Sequence, residues 1–141
     1  MTLFTKIING EIPGRFVWKD DHCVAFLTIA PIRPGHVLVV PRREVDSWIE
    51  ASPDLTAHLF QTAQKIAKGI KDAFPCTKVG LMIAGLEVPH MHIHLTPIDE
   101  IRDMDFARQD HKAGAASLDT AAAKIRAALR VLGFRHVPMD E

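Results

Sequence analysis

Cysteine is scarce in this chain of 141 residues, with Cys23 and Cys76 the only two. They have no CxxC spacing, so neither a disulfide framework nor a cysteine-rich zinc site is indicated. A free cysteine ordinarily behaves as a small hydrophobe. A surplus of one charge sign is missing too, since 17 Lys plus Arg stand against 17 Asp plus Glu. No net field recruits nucleic acid or an anionic membrane surface, and an anionic ligand has to be held by local groups. Long hydrophobic runs are also absent: VLVV at 37–40 is far too short to span a bilayer, and MTLFTKIINGEIP lacks the apolar core of a signal peptide. These absences lead us to expect a cytoplasmic protein with neither a membrane nor a nucleic acid as partner. Repeats and low-complexity tracts are lacking, and Pro and Gly fall between short apolar runs rather than gathering into a linker. A single domain over 1–141 is therefore expected, long enough to bury a core without metal or disulfide staples.

What is present reads as a mixture of strands and helices. FVWKD (16–20), CVAFLTI (23–29) and HVLVVP (36–41) are rich in Val, Phe and Ile and are separated by the turn formers DD and APIRPG, which predicts three strands. Ser52, Pro53 and Asp54 then supply an N-cap, a proline at the first helical position and an early acid. Leu55, Leu59, Ala63, Ile66, Ile70 and Phe74 follow at spacings of three or four, the signature of a long amphipathic helix that Pro75 stops. Its polar face, with Gln61, Gln64, Lys65, Lys68 and Lys71, reads as solvated. Two more strands are expected at about 78–84 and 89–97. Residues 98–116 form a charged, irregular stretch with Phe106 as an apolar anchor, and a loop of that length is uncommon unless it is functional or mobile. A final helix over 117–133 is expected, capped by Ser117, with Leu118, Ala122, Ile125, Leu129 and Leu132 on one face and Gly133 at its end. The tail beyond it is expected to be loose.

VPHMHIHLTP, residues 88–97, is the most informative segment, because histidine alternates there with Met91, Ile93 and Leu95. Side chains two apart on a strand share a face, so His90, His92, His94 and Thr96 form one stripe while the apolar residues turn to the core. Consecutive imidazoles are then rooted roughly 6.6 Å apart, twice the strand rise, close enough to converge on one ligand. Two chemistries use such a stripe. Imidazole is a common metal ligand, and HxH on a strand can supply two zinc ligands. Imidazole is also a nucleophile at neutral pH and can attack phosphorus to form a covalent intermediate that water resolves. The second use needs one ring nitrogen unprotonated and aimed while the other donates to a fixed acceptor, and the middle position, His92, is the natural nucleophile. His90 and His94 would flank it, orienting the ring and donating to phosphate oxygens. The turn at Gly85, Leu86 and Glu87 offers backbone N–H groups that can help hold the anion.

The run HMHIHLT resembles the signature of the histidine triad (HIT) superfamily. FTKIINGEIPGRFVWKDD is similar to that family's N-terminal segment and AFLTIAPIRPGHVLVVPR to its central strand pair with a PGH turn, so the resemblance covers residues 4–97. It implies an α+β domain with an antiparallel sheet of about five strands packed by one long helix, with a C-terminal helix added here, and usually a homodimer. It also implies hydrolysis or transfer of nucleotidyl groups from phosphoramidates and related nucleotide conjugates, with a purine nucleotide or its conjugate as ligand, a nucleotidyl-histidine intermediate on His92, and no cofactor or metal. Phe26, Leu27, Thr28 and Ile29, with Val17 or Phe16 nearby, are the implied base and ribose pocket, and Leu86 and Glu87 stand at the implied phosphate site.

Several positions depart from the family pattern. Thr28 stands where many members have a ribose-binding Asp, and Leu86 where they carry a phosphate-binding Gln; leucine cannot donate to an oxyanion. The stretch VGLMIAGLEVPH is shorter than the family's asparagine-bearing loop, Glu44 replaces a frequent histidine, and LFTKI lacks the CxxC that accompanies zinc in some relatives. The GLEVPH variant suggests a distinct branch in which Glu87, Arg42 or Arg43, or the 98–116 loop supplies compensating contacts. Two alternatives stay open: a nucleotide-binding module with little catalysis, and a protein that uses the stripe to ligate a metal.

Overall fold

The computed structural model describes residues 1–139. A short helix α1 (Leu3–Ile8) leads into strands β1 (Phe16–Lys19), β2 (Cys23–Leu27) and β3 (Val37–Pro41). Helix α2 (Pro53–Ala73), strands β4 (Lys78–Met82) and β5 (Ile93–Ile98), and helix α3 (Ala115–Val131) complete the chain. The five strands form one antiparallel sheet in the order β1-β2-β3-β5-β4.

Period-2 alternation divides the sheet into two faces. Cys23, Ala25 and Leu27 of β2, Val37 and Val39 of β3, and Ile93 and Leu95 of β5 pack with Leu59, Ala63, Ile66 and Ile70 of α2 and with Ala122, Ile125 and Leu129 of α3. Each large aliphatic side chain so buried contributes roughly 1.5–3 kcal/mol. Val24, Phe26, Leu38 and Val40 point the other way and pack with Phe4 of α1. On β1 the alternation breaks: Val17 and Trp18 both lie in the helix-side core, because the register shifts between Phe16 and Trp18. Such a bulge re-aims a side chain at small backbone expense.

α2 begins as its sequence requires, with the Ser52 side chain accepting from Leu55 N at 3.1 Å and Pro53 in the first turn. The PGH turn depends on Gly35, whose φ is +98°; a Cβ there would also meet the Phe74 ring at 2.8 Å and Pro97 at 3.2 Å.

Four expectations need correction. β5 starts at Ile93 rather than near 89, because Met91 N donates to Val45 O and His90 N to Val88 O, which draws 90–91 away from β3. The facing pattern survives, since Met91 still packs in the helix-side core. α3 starts at Ala115 with Gly114 as N-cap, not Ser117, since Ala115 and Ala116 are strong helix formers that extend it upstream. Residues 98–114 carry 3₁₀ turns at Ile101–Met104 and Phe106–Arg108, and Arg33 ties them down through Asp99 at 2.9 Å and Asp103 at 3.2 Å. Finally, the tail over 134–137 is docked and not loose, residues 140 and 141 lying outside the described residues: Lys19 N donates to His136 O, Phe134 packs edge-on against Trp18, and Val137 rests on the core. α1 was not expected at all, for six residues are too few to show a helical period.

Candidate active site

The cross-strand register lays Phe16, Phe26, Leu38, His94 and Met82 in one row across the sheet, on the face away from α2. Phe4 covers part of that row, with its ring 5.7 Å from Phe26 and 4.8 Å from His92. The histidine stripe is consequently far less open than alternation alone suggests. His90 is completely buried, and His92 and His94 are 7% and 8% exposed. Only ring edges of the last two reach the surface, at a cleft of about 150 Å³ that they share with Ala84, Gly85, Leu86, Glu87, Phe106 and Gln109.

Each imidazole is fixed by a partner that decides where its proton sits. His90 Nε2 lies 2.7 Å from Pro41 O, a carbonyl that only accepts, so Nε2 carries the hydrogen and Nδ1 accepts from the Thr2 hydroxyl at 2.7 Å. Thr2 N and the Thr5 hydroxyl donate to Glu44 Oε1 at 2.7 and 2.6 Å, so Glu44 acts on His90 through Thr2 and does not face the cleft's open nitrogens. The Thr5 hydroxyl bond holds the Glu44 carboxyl below the usual carboxylate range. His92 Nδ1 donates to the carbonyl of His90 at 2.8 Å, which leaves Nε2 as a bare lone pair at the cleft.

His94 is governed by a residue that the sequence reading passed over. Ile32 N donates to His36 Nδ1 at 3.0 Å, so His36 Nε2 must carry a hydrogen, which it gives to His94 Nδ1 at 2.9 Å. His94 therefore presents Nε2–H, a donor beside the His92 lone pair; the two rings are 4.8 Å apart. The signal for His36 was its place immediately after Gly35, in a turn whose backbone returns its side chain to the sheet.

Burial favours the neutral form of all four rings. Desolvation pushes His36 down to about 4 and His94 down to about 3, assisted at both by His92 and at His94 also by His36. His90 and His92 are also held below the ordinary imidazole value, in each case because burial outweighs the carbonyl hydrogen bond that favours the cation.

The other expected site residues divide. Phe26 and Phe16 share the histidine face, whereas Leu27 and Val17 turn into the helix-side core and cannot line a pocket there, a correction that the two-residue period of β2 and the β1 bulge explain. The Thr28 hydroxyl accepts from Ala30 N at 3.2 Å, and Ile29 is 75% exposed. Leu86 and Glu87 both border the cleft; the Leu86 side chain, at 93% exposed, brings no polar atom to it. Gly85 has φ +74°, which makes the turn there.

Three-histidine metal ligation does not fit this arrangement. Both His90 ring nitrogens are committed, as are Nδ1 of His92 and of His94, and the one nitrogen left on His94 carries a proton. Elsewhere among the described residues, Asp20, Cys23 and His58 place ligand-type atoms within 4.8 Å of one another. There Asp20 Oδ2 already receives Trp18 Nε1 at 2.9 Å and meets His58 Nε2 at 2.8 Å, and burial pushes the Cys23 thiol up to about 12. That group ties the β1–β2 turn to α2.

A four-histidine cluster beneath a shallow cleft, on the open face of a five-stranded antiparallel sheet, defines a histidine-triad arrangement, and residues 9–101 match the HIT domain family model. An uncharacterised HIT-like protein of Methanocaldococcus jannaschii is 37% identical over 101 residues, covering 69% of this chain and 78% of the relative. Among solved structures, a Hit-like protein involved in cell-cycle regulation from Bartonella henselae aligns with a TM-score of 0.77 at 32% identity, over 90% of this chain and 95% of that one. A hypothetical histidine triad nucleotide-binding protein from Sulfolobus tokodaii aligns with a TM-score of 0.80 at 29% identity, over 92% of each chain. The chain belongs to the HIT domain family.

Proposed function

We propose that this protein is a nucleotidyl hydrolase or transferase that acts on nucleoside phosphoramidates or related nucleotide conjugates through a nucleotidyl-histidine on His92. One observation carries the reading: the His90 carbonyl takes the Nδ1 proton of His92 at 2.8 Å, which leaves Nε2 unprotonated at the cleft. In the proposed reaction Nε2 attacks phosphorus, the P–N bond breaks toward nitrogen, and the amine departs with a proton taken from solvent. Water then attacks the same phosphorus, the bond to His92 breaks, and the nucleotide leaves. His94 Nε2–H donates to the phosphoryl oxygens as their charge grows, and its fixed orientation avoids reorganisation at that moment. Phe26 and Phe16, on the same face, favour the flat aromatic face of a base, and the ligand is a purine nucleotide or its conjugate. We place the protein in the cytoplasm and expect a homodimer; β4 is an edge strand with Leu81 exposed, in keeping with a second copy. Among the described residues no helix is long and apolar enough to cross a membrane.

The direct test incubates the purified protein with adenosine 5′-phosphoramidate and follows AMP release beside His92→Ala. Release is expected from the wild type, with a loss of about 10,000-fold or more in the variant, as removal of a covalent nucleophile implies. A second reading, a nucleotide-binding module with little catalysis, draws on Leu86, whose side chain offers no donor, and on Glu87 beside the cleft. Saturable AMP binding without turnover across a panel of phosphoramidates would establish that one.

A further inference from the structure

An oxyanion at the cleft needs hydrogen-bond donors, and the residues before the triad supply few. The Leu86 side chain has none and that of Glu87, when ionised, only accepts, which leaves the backbone N–H groups of the turn. His92 must keep its lone pair for attack, so among the histidines only His94 donates. Part of the lining of the same cleft comes from the segment after the triad, where Phe106 and Gln109 stand. Gln109 Nε2 gives one N–H to Ala30 O at 2.9 Å, an acceptor that also settles which end of the amide is nitrogen. An amide nitrogen has two hydrogens, and the second has no partner among the described residues.

The segment that carries Gln109 is firmly held. The Asp105 side chain accepts from Ala107 N at 2.9 Å, Asp110 N donates to Pro31 O at 2.8 Å, and Phe106 packs edge-on against His94 with centroids 4.8 Å apart. A donor anchored in this way meets the charge of a transition state without rearranging, which is the condition under which such groups act most strongly.

We infer that Gln109 is a phosphate-binding residue of this protein, whose free amide hydrogen takes the role that Leu86 cannot fill, so that the phosphate site is built from the segment after the triad. The inference rests on the nucleotidyl reading above. It assigns the 98–116 stretch a part in binding the phosphoryl group of substrate.

The test compares wild type, Gln109→Ala and Gln109→Glu by two readouts: turnover of adenosine 5′-phosphoramidate, and the ratio of AMP to adenosine affinity. If Gln109 contacts phosphate, Gln109→Ala lowers kcat about a hundredfold to a thousandfold and removes most of the preference for AMP over adenosine. Gln109→Glu falls lower still through charge repulsion. A residue that merely ties the segment to Ala30 would weaken AMP and adenosine alike, and that equal loss would overturn the inference, as would a kcat within a few-fold of wild type. If wild type binds AMP but turns nothing over, catalysis is lost from the proposed function and the affinity ratio alone decides the role of Gln109. If neither AMP nor adenosine binds, both proposals are wrong.

Discussion

The two faces of the sheet both bury their side chains, to opposite purpose. Toward α2 and α3, burial is of aliphatic side chains that ask nothing of their neighbours except contact. Toward α1 and the 101–110 segment, burial encloses four imidazoles, and each needs a specific partner for each ring nitrogen it turns inward. No buried side-chain nitrogen or oxygen among the described residues lacks a hydrogen bond. The contrast teaches that desolvation does different work on the two sides. It stabilises the helix face directly, whereas on the histidine face it works against the protonated rings and so keeps His92 in the form that can attack.

That comparison can be broken from either side. Ile66→Ala, wholly within the helix-side core, should lower stability by about 2–5 kcal/mol while the folded fraction keeps its kcat; urea unfolding beside steady-state kinetics separates the two, and a large drop in kcat would mean the faces are coupled. His36→Leu attacks the other face. It frees His94 to place its proton on Nδ1 and should lower turnover roughly 100-fold, the effect of losing one oriented donor, with the fold retained by circular dichroism. An unchanged rate would show that His36 does not set the His94 tautomer.

The smallest effect is a pH dependence. His36 and His94 titrate near 4 and 3 when folded against an ordinary 6.5, so the unfolded chain binds more protons between those values and stability rises with pH across them. Their contribution is complete above about 6.5 and is lost as the medium is acidified toward the folded values. Urea midpoints taken near neutrality and in mild acid should show this loss, with the same slope in Ile66→Ala as in wild type. A midpoint indifferent to acid would argue that the rings are not held neutral by burial. The acid limb of turnover should also lie below the ordinary imidazole value, because His92 is shifted in the same direction.

Much of this was legible in the residues. The strands, α2 with its Ser52 cap, and the sharing of one face by His90, His92 and His94 follow from local periodicity and capping, which need only neighbouring positions. The site's finer structure does not, because it joins distant positions. Thr2 meets His90 across 88 positions, His36 meets His94 across 58, and Gln109 meets Ala30 across 79. Sequence pattern carries no information on which donor such a ring will find. Leu27 shows the limit within a strand: the family resemblance implied a pocket role for it, yet the register of β2 turns it to the other side. The 98–116 stretch was read as irregular because its order comes from Arg33, Pro31 and Ala30 and not from any period of its own.

Gly35 joins the two faces at a single backbone angle. The space on its Cα is closed by Phe74 at the end of α2 and by Pro97 on β5, and the next residue is the imidazole that orients His94. Helix packing at this turn cannot be altered without also disturbing the imidazole beside it, so packing and chemistry share one constraint. A side chain introduced at position 35 would need accommodation on both faces at once.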